Sequence, residues 1–219
     1  MQVKLKAEPI HFLEVLSFPL TLLLFSPTYS SLSLGIILSL IGLGIKLWLF
    51  AYPKKRNRKF EVYGPYRFVR HPYFFSTLVL ICSAAISGRS IEIFIFSVLV
   101  FSALFTQKSG KFDENRKRFF GIDYTYYKNC ISSLVPSLVP YPSASQKDMA
   151  IKNVFDVRYK AEIDSFLIVG LFYIYGFSYL EFHQVRSVAM PVSAVLLLLS
   201  VFRLLRLVNI TWNMKKRVT

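Results

Sequence analysis

The sequence predicts an all-α, polytopic membrane protein of about six transmembrane helices, with its N- and C-termini in the cytosol. Three observations carry this. Of the 219 residues, 54% are hydrophobic and only 18% charged, and the mean hydropathy is +0.45, too apolar for an ordinary water-soluble domain. The apolar residues gather into six runs, most of them near the ~20 residues that cross a bilayer. The basic residues gather on alternate loops, as the positive-inside rule requires.

The runs lie at Ile10 to Ser26, Ser31 to Ala51, Tyr73 to Ser87, Ile91 to Gln107, Asp164 to Phe182 and Ser187 to Val208. Some are short for a span, which tilt or local thinning of the bilayer accommodates. With the N-terminus inside, 24 Lys and Arg fall on the cytosolic side, and only Arg89 and Arg186 fall outside. Lys46 lies within a span. The net charge of +15 therefore reads as topology, and no nucleic-acid partner is expected from it. The first run contains Glu14 and Pro19 and ends without a small-residue cleavage pattern, so a retained helix is expected instead of a cleaved signal. A multi-pass protein of a bacterial inner membrane or the endoplasmic reticulum follows, with the lipid bilayer as its surroundings.

Each element follows from its punctuation. Pro27-Thr28-Tyr29-Ser30 joins the first two spans and Gly88-Arg89-Ser90 the third and fourth; both connections are short enough to force antiparallel neighbours. Pro72 suits the first position of the third span, where a missing N–H costs nothing. After the fourth span, Lys111 to Phe120 reads as a separate basic amphipathic helix closed by Gly121, and Tyr124 to Ile131 as another turn or two. Ser143 to Lys147 reads as a linker and Asp148 to Lys160 as a surface segment before the last hairpin. The chain thus divides into residues 1–145, four spans with a cytosolic segment, and residues 146–219, a surface segment and a transmembrane hairpin.

Intramembrane charge is costly and invites pairing. Glu14 and Lys46 lie at similar depths from the cytosolic ends of antiparallel spans, so they either pair or reach separately to the interface. Arg203 and Arg206 share a face near the end of the last span, suited to lipid phosphate. Cys82 and Cys130 have neither metal-ligand spacing nor a common context, so no disulfide or metal site is expected.

The chemistry-bearing stretch is Gly64-Pro65-Tyr66-Arg67-Phe68-Val69-Arg70-His71-Pro72. It sets two basic side chains beside a helix N-terminus, whose orphan N–H groups and partial positive charge favour an anion. The same loop would also meet lipid headgroups. Together with Phe119-Phe120-Gly121-Ile122-Asp123-Tyr124, Tyr127-Lys128 and Leu138-Val139-Pro140, it resembles the isoprenylcysteine carboxyl methyltransferases and phospholipid N-methyltransferases, integral membrane enzymes. The resemblance covers roughly Phe60 to Pro140, and the first two spans only in hydropathy.

The resemblance implies an S-adenosylmethionine-dependent methyltransferase whose cofactor lies on the cytosolic face and whose acceptor is lipophilic or membrane-embedded: an isoprenylcysteine carboxylate, a phospholipid amine or a small thiol. Carried over residue by residue, Arg70, His71 and Pro72 with Tyr124, Tyr127 and Pro140 would bind the cofactor. Asp113 and Glu114 would supply the carboxylate that holds the cofactor's amino group or takes a proton from an amine acceptor. The chain departs from the family pattern at Phe74 and Ser76, where Tyr and Gly are usual, and at Phe112, the first of two positions that usually carry Glu; Asp113 holds the second. Methyl transfer is an in-line displacement from a sulfonium, so the protein's task is alignment and exclusion of water. Two other readings remain open: a nicotinamide-dependent membrane reductase of the sterol-reductase type, and a non-catalytic protein on the same scaffold.

Overall fold

The structure, a computed structural model, describes residues 13, 16–18, 20–52, 60–142 and 160–181. Four α-helices are named here: α1 (Tyr29–Phe50), α2 (Pro72–Gly88), α3 (Ile91–Cys130) and α4 (Lys160–Glu181). A 3-10 turn at Leu22–Leu24 precedes α1, and another at Gly64–Arg67 precedes α2. No β-strand occurs among the described residues. Glu14, Arg186, the linker, the surface segment up to residue 159, and the whole run from Ser187 to Val208 with Arg203 and Arg206 lie outside the described residues.

Local chemistry explains where the helices begin and end. Thr28 caps α1: its Oγ1 accepts from Ser31 N–H at 3.2 Å, and Ser31 Oγ accepts from Thr28 N–H at 2.9 Å, satisfying two donors reciprocally. Pro72 is the first residue of α2, as expected. Arg89, with φ 55° in the left-handed region, ends α2 and turns the chain directly into α3.

The expectation of a separate helix from Lys111 is corrected: α3 runs unbroken past Gln107 to residue 120. Ser109 and Gly110 alone are weak breakers, and the helix-favouring stretch beyond them propagates the turn. The break comes at Gly121, with φ 59° and ψ −123°, a conformation open to glycine and strained for other residues. Tyr124 OH then donates to Asp113 Oδ1 at 2.5 Å. Eleven residues of straight helix would separate the two by about 16 Å, beyond the reach of both side chains. The last turns of α3 therefore double back along Asp113 to Phe120.

Helices α1 and α3 are each long and apolar enough to cross a membrane, and α2 and Ser165–Glu181 are shorter apolar helices. Leu34, Ile37, Leu40 and Ile41 of α1 and Ile91, Ile95, Phe96 and Leu99 of α3 are exposed, so each helix presents an apolar face that water does not tolerate well.

The main core joins α4 to the helices before it. Phe18, Leu32, Leu80 and Ala84 pack with Ile168, Val169, Phe172 and Tyr173 of α4, so the helix that the sequence assigns to the C-terminal unit shares a core with α1 and α2. At this crossing Ser39 Oγ lies 2.8 Å from Ser83 Oγ and 2.9 Å from Tyr173 OH, and Ser87 Oγ lies 3.0 Å from Tyr173 OH. A methyl group on Gly35 would collide with Ser87 Oγ and Tyr173 OH, so this close approach needs glycine. A second cluster (Leu13, Phe74, Ile81, Phe101) fills the space between α2 and α3, and a third (Val62, Tyr124, Tyr127, Ile131, Tyr141) backs the motif loop.

Candidate functional site

The motif loop is shaped by its own backbone. Gly64–Arg67 forms the 3-10 turn, and Phe68 and Val69 N–H both donate to Pro65 O. This turn delivers Arg70 and His71 to the start of α2. The chain beyond α3 then fastens the loop: Arg70 N–H donates to Ser132 O at 2.9 Å and His71 N–H to Ser133 O at 3.2 Å, while Ser137 N–H donates to Phe68 O and Tyr141 N–H to Arg67 O. Two segments about sixty residues apart in sequence thus become one structure.

Asp113 is the hub of the side-chain cluster. Arg70 Nη1 donates to its Oδ2 at 2.9 Å, with both side chains about nine-tenths buried. Tyr124 OH donates to Oδ1, and Lys128 Nζ stands 3.6 Å from Oδ2. His71 Nε2 lies 3.1 Å from Oδ1 but misaligned for a hydrogen bond, and the atom is without a hydrogen-bond partner. Rings surround the imidazole on its other sides: Phe74 at 5.7 Å, Phe105 at 6.1 Å and Phe112 at 5.4 Å between centroids. Phe74 and Phe112, two of the three positions at which the chain departs from the pattern it resembles, are therefore walls of the His71 cage together with Phe105.

The electrostatics follow from this packing. Burial alone would push the Asp113 carboxyl up, but the neighbouring His71, the Tyr124 hydroxyl and the Arg70 charge outweigh it and hold the group at about 2. Burial pulls His71 below its ordinary value despite the facing Asp113. Burial, joined by the Asp113 charge, raises the Tyr124 hydroxyl, and burial raises that of Tyr127. Near neutral pH the site holds an ionised carboxylate, a neutral imidazole and two protonated phenols. So strongly acidic a carboxyl is a poor proton acceptor, which favours binding over base catalysis for Asp113.

The structure brings together Arg70, His71, Asp113 and Tyr124 in direct contact. Tyr127 stands beside them, donating to Tyr66 O at 2.7 Å and packing on Tyr124. Pro72 is buried at the head of α2. Pro140 is half-buried and precedes Tyr141, whose ring meets Tyr127 at 5.2 Å. Glu114 is not part of the cluster; it is exposed and pairs with Arg118 at 3.1 Å, one turn along the helix. Sequence reasoning missed Arg116, whose guanidinium lies over the Phe112 ring at 4.5 Å and the Tyr66 ring at 5.6 Å, and it missed the contact of Lys128 with Asp113. Helical spacing offered a signal for Arg116, three residues after Asp113 and four after Phe112; Lys128 reaches Asp113 only because of the reversal at Gly121. A shallow depression lined by Thr28, Ser31, Leu34, Ile86 and Arg89 lies at the other end of α1 and α2, away from these groups.

Comparison with known proteins finds no family model, no curated protein and no solved structure that matches this chain.

Proposed function

We propose that this chain is a multi-pass membrane enzyme that transfers a methyl group from S-adenosylmethionine to a lipophilic or membrane-embedded acceptor on its cytosolic side. The proposal includes six spans with both termini inside, for which the 24 to 2 partition of basic residues is the support. The observation that carries the catalytic reading is the convergence of Arg70, His71 and Tyr124 on Asp113 beside the first turn of an apolar helix.

The residues present fit the cofactor. Arg70 Nε and His71 Nε2 are buried nitrogens without a hydrogen-bond partner, and such atoms are costly unless a polar group comes to meet them. A methionine carboxylate would meet both, with the α2 N-terminus contributing its dipole. Asp113, ionised and already cradled by donors, would take the ammonium group. Tyr66 and Phe112, both half-buried, would offer aromatic surface to the remainder of the cofactor, with the buried Tyr124 and Tyr127 packed behind them.

When bound, S-adenosylmethionine supplies an electrophilic methyl group on a sulfonium. The protein's own residues then orient and exclude. Asp113 holds Arg70 and Tyr124 in one geometry, and the ring cage keeps water from the imidazole. The exposed apolar faces of α1 and α3 would admit an acceptor dissolved in the bilayer.

Isothermal titration of the purified protein with S-adenosylmethionine and with reduced nicotinamide cofactors tests the reading. Binding of the first alone is expected, weakened about tenfold to a hundredfold by Arg70→Ala or His71→Ala, the range for losing a charge-assisted contact. Unchanged binding in both variants, or binding of the nicotinamide alone, overturns it. Membranes incubated with isotopically labelled methyl donor would then identify the acceptor by mass.

A further inference from the structure

The segment from Ile131 to Pro142 carries no charged residue, although it belongs to a loop region rich in lysine and arginine. Ile131 and Tyr141 at its ends are buried, but three apolar side chains between them are not. Val135 is 69% exposed, Leu138 98% and Val139 73%. An exposed apolar triplet without a gatekeeping charge is unusual for a surface facing water.

The backbone bonds fix where this triplet stands. Ser132 and Ser133 are tied to Arg70 and His71, Ser137 to Phe68, and Tyr141 to Arg67, so the segment lies level with the residues immediately before α2. Leu134 packs against the cluster of Leu13, Phe74, Ile81 and Phe101 between the apolar helices. Phe68 meets Trp48 at 5.9 Å, and Trp48 stands two residues before the end of α1, the depth at which tryptophans gather at a membrane boundary.

Resting on the reading of α1 to α3 as spans, we propose that Ser133 to Pro140 is an interfacial loop whose Val135, Leu138 and Val139 insert into the lipid of the same bilayer. The backbone is prepared for it. Between residues 136 and 141, Pro136 and Pro140 have no N–H, Ser137 and Tyr141 donate to the motif loop, and Val139 N–H donates to Ser137 Oγ at 3.2 Å, which leaves the Leu138 N–H for the polar headgroup layer. Amide donors already satisfied within the protein are the requirement for entering an apolar medium. Because the same segment fastens Arg70 and His71 through their amides, membrane contact would hold the motif loop at the lipid boundary.

Single-tryptophan reporters test the inference, with Trp48 and Trp212 replaced by Phe and the protein placed in phosphatidylcholine nanodiscs. Leu138→Trp is expected to lose roughly half its emission to lipids brominated near the headgroup and to be shielded from iodide, as an interfacial side chain is. Lys117→Trp serves as the water-facing control and Ile37→Trp as the mid-span control. Iodide quenching of Leu138→Trp equal to that of Lys117→Trp overturns the inference, and so does an emission untouched by either quencher, which would mean a protein partner or second copy covers the loop. If Ile37→Trp also escapes quenching by lipids brominated deep in the chain, the spanning reading itself falls.

Discussion

Replacing Asp113 with alanine should destabilise the protein by about 3 kcal/mol. Two estimates bracket the figure. Held at about 2 against an ordinary 3.8, the carboxyl contributes about 2 kcal/mol of folding free energy at neutral pH, at roughly 1.4 kcal/mol per pH unit. Because the folded value lies below the unfolded one, that contribution is complete above about pH 4 and is lost as the pH falls toward about 2. Removal of the side chain also strands the Arg70 guanidinium, about nine-tenths buried, and breaking a buried pair typically costs about 3 to 5 kcal/mol. The lower end applies, since the exposed Lys128 returns to water without penalty. For a chain of this length about 3 kcal/mol corresponds to a fall in Tm of roughly 6 to 12 °C. Thermal unfolding in detergent near pH 7.5, at one scan rate for both proteins, measures it. Arg70→Met should cost much less in the Asp113→Ala background than alone, since the partner is already gone. A fall of less than about 2 °C, or additive effects in the double variant, would refute the view that Asp113 is the hub of the site.

Two other expectations follow from the same geometry. His71, held neutral by burial, contributes stability that is complete above its unfolded value near 6.5 and is lost as the pH falls below it; Tm should drop between pH 7.5 and 5.5, and His71→Gln should flatten that slope, parallel slopes being the contrary result. Gly121→Ala forces a non-glycine residue to φ 59°, ψ −123°, at a cost of about 1 to 3 kcal/mol; an unchanged Tm would show that the reversal of α3 does not depend on glycine.

Much of the architecture was written in local sequence. The apolar runs of α1 and α3, the proline at position 72 and the short Arg89-Ser90 connection each act within a few residues, and each appears as expected among the described residues. Gly121 was legible as a break but not as a reversal, because one residue's backbone freedom says where a chain can turn and nothing about what the returning segment will meet. The motif loop was likewise legible as a basic turn before a helix. Its partners were not.

Composition and spacing alone determined that the chain is helical, apolar enough for a membrane and punctuated at 27–30, 72 and 88–90, since hydropathy, capping and turn preference are properties of neighbours along the chain. Only the tertiary structure decided that α3 continues past Gln107, that Tyr173 of α4 closes a hydroxyl cluster with Ser39, Ser83 and Ser87, and that Asp113 rather than Glu114 faces the motif loop. Adjacent carboxylates on a helix point about 100° apart, so which one is buried depends on what packs against that face. Here it is Arg70, forty-three residues earlier, and an ion pair over that separation is stabilised by burial that no local pattern encodes.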